Sequence, residues 1–233
     1  MNPKPLLVFL PGTLCTGAIF SAYSNHSQYD SLIIEFSHEA SLDEMANTVL
    51  SQVGDRAFIP VGFSMGGMVA FELIRQRPAQ INGLILLNSN CLADSPERSN
   101  GRQHQLQLAR DKGLQSLFQD IMLPVYFANP ECEHAKLVVE MASALGIATF
   151  EAQLNVLAQR PDSLSVLSHF QKPSLVIGSE HDLPCPPEHQ QVMASALPQG
   201  ELHILNHCGH FALLEQADAI KNLINNWMAR HYG

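Results

Sequence analysis

The feature that most constrains the fold is the Gly-Phe-Ser-Met-Gly-Gly stretch at residues 62–67, which lies between apolar segments at 57–61 and 68–74. A G-x-S-x-G pattern between a strand and a helix predicts a sharp turn, in which glycines let the two elements approach closely because they lack a Cβ atom. Ser64 would then project from the turn, and the Met65 amide would lie at the helix N-terminus, where N–H groups lack internal partners. The alternative interpretation is a glycine-rich connection with an incidental serine.

Short apolar runs alternate with helical patterns along much of the chain. Buried strands are predicted at residues 5–10, 32–36, 57–63, 83–88, 174–178 and 201–205. Helices are predicted after a capping box at Ser41 and Glu44 and again from Leu213 to Trp227. This alternation predicts an α/β fold with a mostly parallel, six-stranded open sheet covered by helices on both faces. Pro60 is unfavourable in its strand, because proline cannot donate to the ladder.

Residues 92–170 differ from the rest, because they contain helical patterns and loops but no clear strand. We interpret them as a helical cap (lid) inserted into a core formed by residues 1–91 and 171–233. The total length of 233 residues fits one large α/β domain with such an insertion.

Charge and cysteine content argue against several classes of protein. The 22 acidic residues outnumber the 13 basic ones and give a net charge of −9, which argues against nucleic-acid binding. Five cysteines without a C-x-x-C pair, in a chain without a secretory leader, predict free thiols in a reducing compartment. No apolar run approaches the length of a membrane span, about 20 residues. We therefore expect a soluble, cytoplasmic protein.

Polar residues follow two of the later strands. A serine hydroxyl needs a base to become a nucleophile, and the base needs an acid to orient it. In an open parallel sheet, reactive groups gather beyond the carboxyl ends of the strands. Asp182 follows the predicted strand end at Gly178 by four residues, and His210 follows Leu205 by five. Ser64, Asp182 and His210 are therefore candidates for nucleophile, acid and base.

Several motifs resemble those of the α/β-hydrolase family, and more narrowly of small bacterial serine hydrolases or esterases that open with a Leu-Pro-Gly-Thr-Leu-Cys segment. The matching stretches cover nearly the whole chain and lie at residues 10–15, 62–67, 86–90, 159–162, 182–187 and 208–216. The order Ser64, Asp182, His210 is also that of the family.

The resemblance implies a hydrolase core with a helical cap, and it implies the triad roles just given. It further implies an oxyanion hole from the backbone amides of Thr13 and Met65. Pro11 stands where many family members carry histidine, which removes a side chain but neither amide. We expect no cofactor and no metal to be needed.

The acid and the base have competitors. Glu180 lies close to Asp182. Asp94 follows the predicted strand at residues 83–88, although it lies several residues further along than expected for an acid. His207 competes with His210 for the base, but His210 alone follows a glycine and precedes the Phe-Ala-Leu-Leu-Glu run.

Two other features have a simpler structural explanation. His203, His207 and His210 superficially suggest a zinc site. Convergence on one ion is not expected, because His203 is predicted within a strand and the others in the loop after it. Cys15 adjoins the proposed oxyanion loop, but a buried packing thiol is the expected role.

These observations predict a serine hydrolase that cleaves a carboxylic ester or thioester of a small acyl substrate through an acyl-enzyme intermediate. The same residues would serve a lyase, an acyltransferase or a perhydrolase, and the pocket alone would serve a non-catalytic ligand-binding receptor. Basic residues gather in the cap, where they predict either a site for an anionic acyl carrier or a solvated helix face: Arg98, Arg102, Arg110 and Lys112.

Overall fold

The structure is a computed structural model that describes residues 4–23 and 27–233. Within these residues, six strands form a single sheet in the order β2-β1-β3-β4-β5-β6, and each neighbouring pair is parallel. The strands are β1 (Leu6–Leu10), β2 (Asp30–Ile33), β3 (Ile59–Phe63), β4 (Leu84–Leu87), β5 (Ser174–Ser179) and β6 (Gly200–Leu205). The predicted parallel six-stranded sheet is confirmed, and all its strands end at one edge.

Helices fill the connections between these strands. In the described ranges they are α1 (Leu42–Val53), α2 (Met65–Gln76), α3 (Pro96–Lys112), α4 (Leu114–Leu117), α5 (Leu123–Tyr126), α6 (His134–Gln159), α7 (Leu164–His169), α8 (Pro187–Ala196), α9 (Ala212–Glu215) and α10 (Ala217–Tyr232). Short 3₁₀ turns occur at Gly17–Phe20 and Pro78–Gln80, and a π-helical turn occurs at Phe118–Met122.

The sheet divides the buried interior into two clusters, because successive side chains of a strand point to opposite faces. In β1, Leu7 and Phe9 pack in the cluster that contains Trp227 of α10. Leu6, Val8 and Leu10 belong to the other cluster, with buried side chains of α1, α2 and α8. Helices therefore cover both faces, as the near-continuous apolar strands predict.

The helix α1 begins with a variant of the predicted capping box. The Ser41 hydroxyl accepts a hydrogen bond from the Glu44 N–H at 3.1 Å. The Glu44 carboxylate accepts from the Ala40 N–H at 2.7 Å rather than from Ser41, so the return bond is displaced by one residue. Gly54, with φ 64°, ends the helix as predicted.

Some strand boundaries differ from the prediction. The second strand is predicted at 32–36 and observed at Asp30–Ile33, although the Ile34 N–H still donates to the Phe9 carbonyl at 3.1 Å. Phe58 pairs with Ile81 whereas Val61 pairs with Ile85, so the register between the two strands shifts by one residue across Pro60. That shift places the residue without an N–H at an interruption of the ladder.

Residues 92–170 contain α3 to α7 and no strand. The long helix α6 kinks at Gly146, whose φ of 81° favours glycine. α7 packs against α2 and α8, and its buried Leu167 belongs to the cluster of the core helices. We therefore propose that the cap consists of α3 to α6 and that α7 belongs to the core layer.

By length and composition, α6 is the one helix in the described part of the chain that could cross a membrane. It packs against α3 and α4, and it buries Phe150 and Leu154 in the main hydrophobic cluster. A core helix of a soluble protein passes the same test. The sequence shows no continuous apolar run here because Lys136, Glu140 and Glu151 interrupt it.

Candidate active site

Ser64 occupies the sharp turn between β3 and α2 that the motif predicts. Its backbone has φ 52° and ψ −115°, a region that an L-residue adopts only under strain. Neighbouring groups hold the turn: the Ser64 N–H donates to the Leu87 carbonyl at 3.0 Å, and the Ser64 carbonyl accepts from the Ser89 hydroxyl at 2.8 Å. The serine is therefore fixed by backbone contacts that do not involve its own hydroxyl.

Glycine is required beside this serine by close approach of the backbone. A Cβ atom on Gly66 would lie 2.0 Å from the Leu10 carbonyl oxygen, and one on Gly62 would lie 2.5 Å from the Cα of Gly67. Both distances are far below van der Waals contact, so α2 can start against β1 and β3 only with glycine at these positions. The predicted role of the glycines is confirmed.

The structure brings together the three residues predicted as nucleophile, acid and base. His210 Nε2 lies 3.0 Å from Ser64 Oγ. His210 Nδ1 lies 2.9 Å from Asp182 Oδ1 and 3.0 Å from Oδ2. The imidazole is enclosed by aromatic rings, with centroid distances of 5.1 Å to Phe63 and 5.5 Å to Tyr126. Asp182 and His210 are buried, whereas Ser64 is half-buried and faces the cavity.

Two further hydrogen bonds hold the Asp182 carboxylate. Asn88 Nδ2 donates to Oδ2 at 2.8 Å, and the Cys185 N–H donates to Oδ1 at 2.8 Å. Asn88 also donates to the Ser179 hydroxyl, which in turn donates to the Gly209 carbonyl at 2.6 Å. Donors of this kind stabilise the ionised carboxylate and fix its orientation.

Asn88 and Ser179 are site residues that the sequence analysis missed. Asn88 lies in the matching motif at residues 86–90, for which the resemblance implies no role. The available signal was a polar residue directly beyond the end of a buried strand: Asn88 follows β4, and Ser179 is the last residue of β5. β5 extends one residue beyond the predicted end at Gly178, so Asp182 follows the strand by three residues.

The two candidate oxyanion residues lie on either side of the serine turn. Thr13 lines the cavity with Ser64, and its hydroxyl lies 3.8 Å from the Met65 sulfur. Met65 is the first residue of α2. The Thr13 loop is held from the cap, because the Leu14 N–H donates to Gln153 Oε1 at 2.8 Å. The use of the two amides as an oxyanion hole stays a prediction.

The competing acids are engaged elsewhere. Glu180 is exposed and accepts a hydrogen bond from the His207 N–H at 3.1 Å. Asp94 forms ion pairs with Arg102 and Arg160 beneath the cap. His207, the competing base, has a side chain that is 89% exposed. Neither acid has a hydrogen bond to His210 among the described residues.

Two groups of side chains in the described ranges have the spacing of metal ligands: the exposed Glu180, His181 and His207, and the buried Asp182, Cys185 and His210. His203, His207 and His210 do not form such a group. In the buried group, Asp182 and His210 already bind each other. Burial and then the Asp182 charge raise the pKa of the Cys185 thiol well above its usual value, so this thiol is protonated at neutral pH.

Cys15 has the packing role that was expected for it. Burial raises the pKa of its thiol to about 12, and the sulfur lies 3.4 Å from the Thr13 carbonyl. Burial likewise raises the pKa of Cys91 to about 12 and that of Cys208 to about 11. These thiols are therefore protonated near neutral pH, where the thiolate is the reactive form.

We expect the native protein to react with a thiol reagent at one cysteine. All five cysteines are free, and Cys132 is the one that is not buried. Titration with 5,5′-dithiobis(2-nitrobenzoate) at pH 8 should give one equivalent for the folded protein and five after denaturation, because the other thiols are inaccessible and un-ionised. Cys132→Ser should abolish the native reaction. Rapid labelling of Cys15 in the folded protein would contradict this description of the site.

A cavity of about 330 Å³ lies between the carboxyl edge of the sheet and the cap. Its floor contains Ser64 and His210, and much of its wall is apolar, with contributions from Met122, Phe150 and Leu154. Arg98, Arg102 and Arg160 also reach it. The volume is at the lower end of the range for small-molecule sites, about 300–1,000 Å³.

The basic residues of the cap do not form one surface. Arg98 and Arg102 line the cavity, whereas Arg110 lies outside it and pairs with Glu151 at 2.7 Å. Residues four apart share a helix face, which explains why Arg98 and Arg102 point the same way.

A parallel sheet, a strained serine turn and a serine–histidine–aspartate contact beneath an inserted helical segment define the α/β-hydrolase class. The chain belongs to the α/β-hydrolase family, because the sequence profile of that family matches residues 7–223. It is a hydrolytic enzyme, and the resemblance inferred from the motifs is confirmed at this level.

Individual relatives are distant. The chain is 23% identical over 204 residues to a 2-hydroxy-6-oxononadienedioate/2-hydroxy-6-oxononatrienedioate hydrolase from Pseudomonas sp, which covers 85% of this chain and 72% of that protein. MenH from S. aureus has a TM-score of 0.88 at 18% identity, covering 100% of this chain and 96% of its own. A thermophilic esterase from Thermogutta terrifontis has a TM-score of 0.83 at 22% identity, covering 100% and 92%. The two structures establish the shared fold.

Proposed function

We propose that the protein is a serine hydrolase that cleaves a carboxylic ester or thioester of a small acyl substrate. The observation that carries this proposal is the continuous contact from Ser64 Oγ through His210 to Asp182, with 3.0 Å at the first step and 2.9 Å at the second. Both distances are within hydrogen-bond reach, which a nucleophile and its base require.

In the first half of the reaction, Ser64 Oγ attacks the acyl carbon while His210 Nε2 takes its proton. Asp182 accepts the Nδ1–H, which selects the tautomer whose Nε2 is free, and it stabilises the imidazolium that forms. The bond from the acyl carbon to the leaving oxygen or sulfur then breaks, and His210 returns the proton to that atom. An acyl group remains on Ser64, and the alcohol or thiol departs.

In the second half, water takes the place of the leaving group. His210 accepts a proton from the water as its oxygen attacks the acyl carbon, and the bond to Ser64 Oγ breaks with return of that proton to the serine. The products are a carboxylic acid and the unmodified enzyme. No cofactor or metal takes part in this scheme.

The oxyanion of each tetrahedral intermediate would be stabilised by the amides of Thr13 and Met65. The Met65 amide is at the N-terminus of α2, where N–H groups lack internal partners and the helix dipole favours negative charge. Loss of one such donor typically costs about 3–4 kcal/mol in the transition state.

We propose a small-molecule substrate rather than an acyl carrier at the cap. Arg102 lines the cavity and pairs with Asp94, whereas Arg110 lies outside the cavity and pairs with Glu151, so the two arginines do not form a joint surface. The cavity volume of about 330 Å³ is in keeping with a small acyl compound. Five free cysteines support a reducing, cytoplasmic location.

The direct test is covalent labelling combined with turnover. A fluorophosphonate should phosphonylate the wild-type enzyme once, at Ser64, and p-nitrophenyl butyrate should be hydrolysed and should protect against the label. Mass spectrometry of the labelled peptide identifies the residue. A labelled serine other than Ser64 would contradict the mechanism, and binding of the ester without turnover would favour a receptor. Diversion of most acyl groups to an added alcohol would favour an acyltransferase.

A further inference from the structure

Three arginines line the cavity that contains the candidate nucleophile and base, in a protein whose net charge is −9. Arg98 and Arg102 come from α3, and Arg160 follows α6. Arginine is seldom buried without a partner, because removing a guanidinium from water is unfavourable unless an anion compensates it. The pairing of these three side chains therefore indicates what the cavity is built to receive.

The Asp94 carboxylate pairs with two of the three arginines. Asp94 binds Arg102, and its Oδ1 also forms an ion pair with Arg160 Nη1 at 3.0 Å. The side chains of Asp94 and Arg160 are 4% and 2% exposed, so water screens this group poorly. The three arginines together with Asp94 therefore carry a net positive charge.

Within the described part of the chain, Arg98 is the arginine of this group that lines the cavity without a carboxylate partner. Its Nη2 donates to the Pro184 carbonyl at 2.9 Å, and within residues 4–23 and 27–233 it forms no ion pair. A guanidinium has five N–H donors, so four remain. The nearby Asp182 carboxylate is already occupied by Asn88, Cys185 and His210.

The charge balance agrees with the geometry. Burial lowers the pKa of Arg160; Asp94 raises it, and the charges of Arg102 and Arg98 lower it further. The arginines thus repel one another across the cavity, and a bound anion would relieve that repulsion.

We propose that Arg98, supported by Arg102, forms a carboxylate-binding subsite in the active-site cavity, and that the substrate is an ester or thioester carrying a second, free carboxylate. Arginine presents a planar fork that can bind a carboxylate through two parallel hydrogen bonds. Much of the cavity wall is apolar, and a less polar surrounding strengthens such a contact. The proposal rests on the proposed function for the reaction, but the subsite itself is a binding property that can be tested without turnover.

A purely structural role for Arg98 makes a different prediction. Through Pro184, Arg98 braces the loop that also supplies the Cys185 N–H to Asp182. Loss of that brace would disturb the acid and lower turnover of every substrate by a similar factor. Loss of a carboxylate subsite would instead lower turnover only of substrates that carry a free carboxylate.

The experiment compares two pairs of esters. In each pair, the p-nitrophenyl half-ester of adipic or suberic acid is matched with the same ester whose free acid is a primary amide, which has nearly the same shape without the charge. We expect the wild type to favour the acid of at least one pair by about tenfold or more in kcat/KM, because a hydrogen bond to a charged group contributes about 1.5–3 kcal/mol. Arg98→Gln should remove the preference by lowering turnover of the acid alone.

Two further variants serve as controls. Arg98→Lys should keep part of the preference, because it keeps the charge but loses the fork. Arg110→Gln should leave both rates unchanged, since Arg110 lies outside the cavity. Thermal unfolding of each variant establishes that it is folded. Equal wild-type rates on the acid and the amide in both pairs would overturn the subsite. It would also be overturned if Arg98→Gln and Arg98→Lys each lowered the rates on the acid and on the amide by the same factor.

Calorimetry separates this proposal from the proposed function. Adipate and suberate should bind the catalytically inactive Ser64→Ala protein more tightly than the corresponding diamides, and Arg98→Gln in that background should remove the difference. If no ester is hydrolysed but this binding is observed, the esterase proposal fails and the subsite stands. If neutral esters are hydrolysed and neither dicarboxylate binds in preference to its diamide, the subsite fails and the esterase proposal stands.

Discussion

Ser64→Ala should fold normally and lose ester hydrolysis by about 10⁴-fold or more, because no other group can form the acyl-enzyme. The Ser64 side chain makes no capping hydrogen bond to α2, and its hydroxyl contacts His210. The backbone contacts to Leu87 and Ser89 remain in the variant. The measurement is kcat/KM for p-nitrophenyl butyrate together with a thermal unfolding curve. Retention of a tenth of the wild-type rate would contradict the proposed mechanism.

Ser64→Gly is the matched variant for this experiment. It should be as inactive as the alanine variant but more stable, by about 1 kcal/mol, because glycine adopts φ 52° and ψ −115° without the strain that a Cβ atom brings. The comparison separates two contributions of the same residue: the hydroxyl supplies the chemistry, and the turn bears the strain. Equal unfolding temperatures for the two variants would argue against strain at Ser64.

The sheet and the serine turn could be predicted because their signals are local. A buried parallel strand is a short apolar run, and Gly66 is explained by the approach of one backbone segment. Parallel strands end at one edge, so Asp182 and His210 could be expected near Ser64 from their positions after later strands. The register shift at Pro60 could not be predicted, since it depends on how Phe58 pairs with Ile81 outside the regular ladder.

The surroundings of the candidate triad depend on side-chain directions that the sequence does not encode locally. Asn88 reaches Asp182 across 94 positions of the chain. The sequence shows that the cap arginines lie close together along the chain, but it does not show which helix face lines the cavity. Its position after a strand makes Asp94 a candidate acid in the sequence; in the structure it pairs with Arg102 and Arg160 instead. Long-range packing, rather than local propensity, decides each of these contacts.

Replacing the acid is expected to be almost as damaging as replacing the nucleophile. Asp182→Asn should lower kcat by about 10⁴-fold, because a neutral amide can donate to His210 Nδ1 and thereby stabilise the tautomer whose Nε2 carries the proton. The substitution also disturbs the surroundings of residue 182, because Asn88 and the Cys185 N–H both donate to the carboxylate. Each carboxylate oxygen accepts from one of these donors, so an amide NH₂ at either position loses one hydrogen bond, and the variant should also unfold at a lower temperature.

Glu180→Gln is the control for this prediction, because Glu180 lies two positions away and is exposed. Its carboxylate accepts from the His207 N–H, a bond that glutamine can preserve, so kcat should change less than about threefold. Nitrogen NMR of the His210 ring would report the tautomer directly in wild type and in Asp182→Asn. Combining Ser64→Ala with Asp182→Asn should add little to the loss in Ser64→Ala, since triad members act as a unit. A large loss in Glu180→Gln beside an active Asp182→Asn would transfer the role of the acid to Glu180.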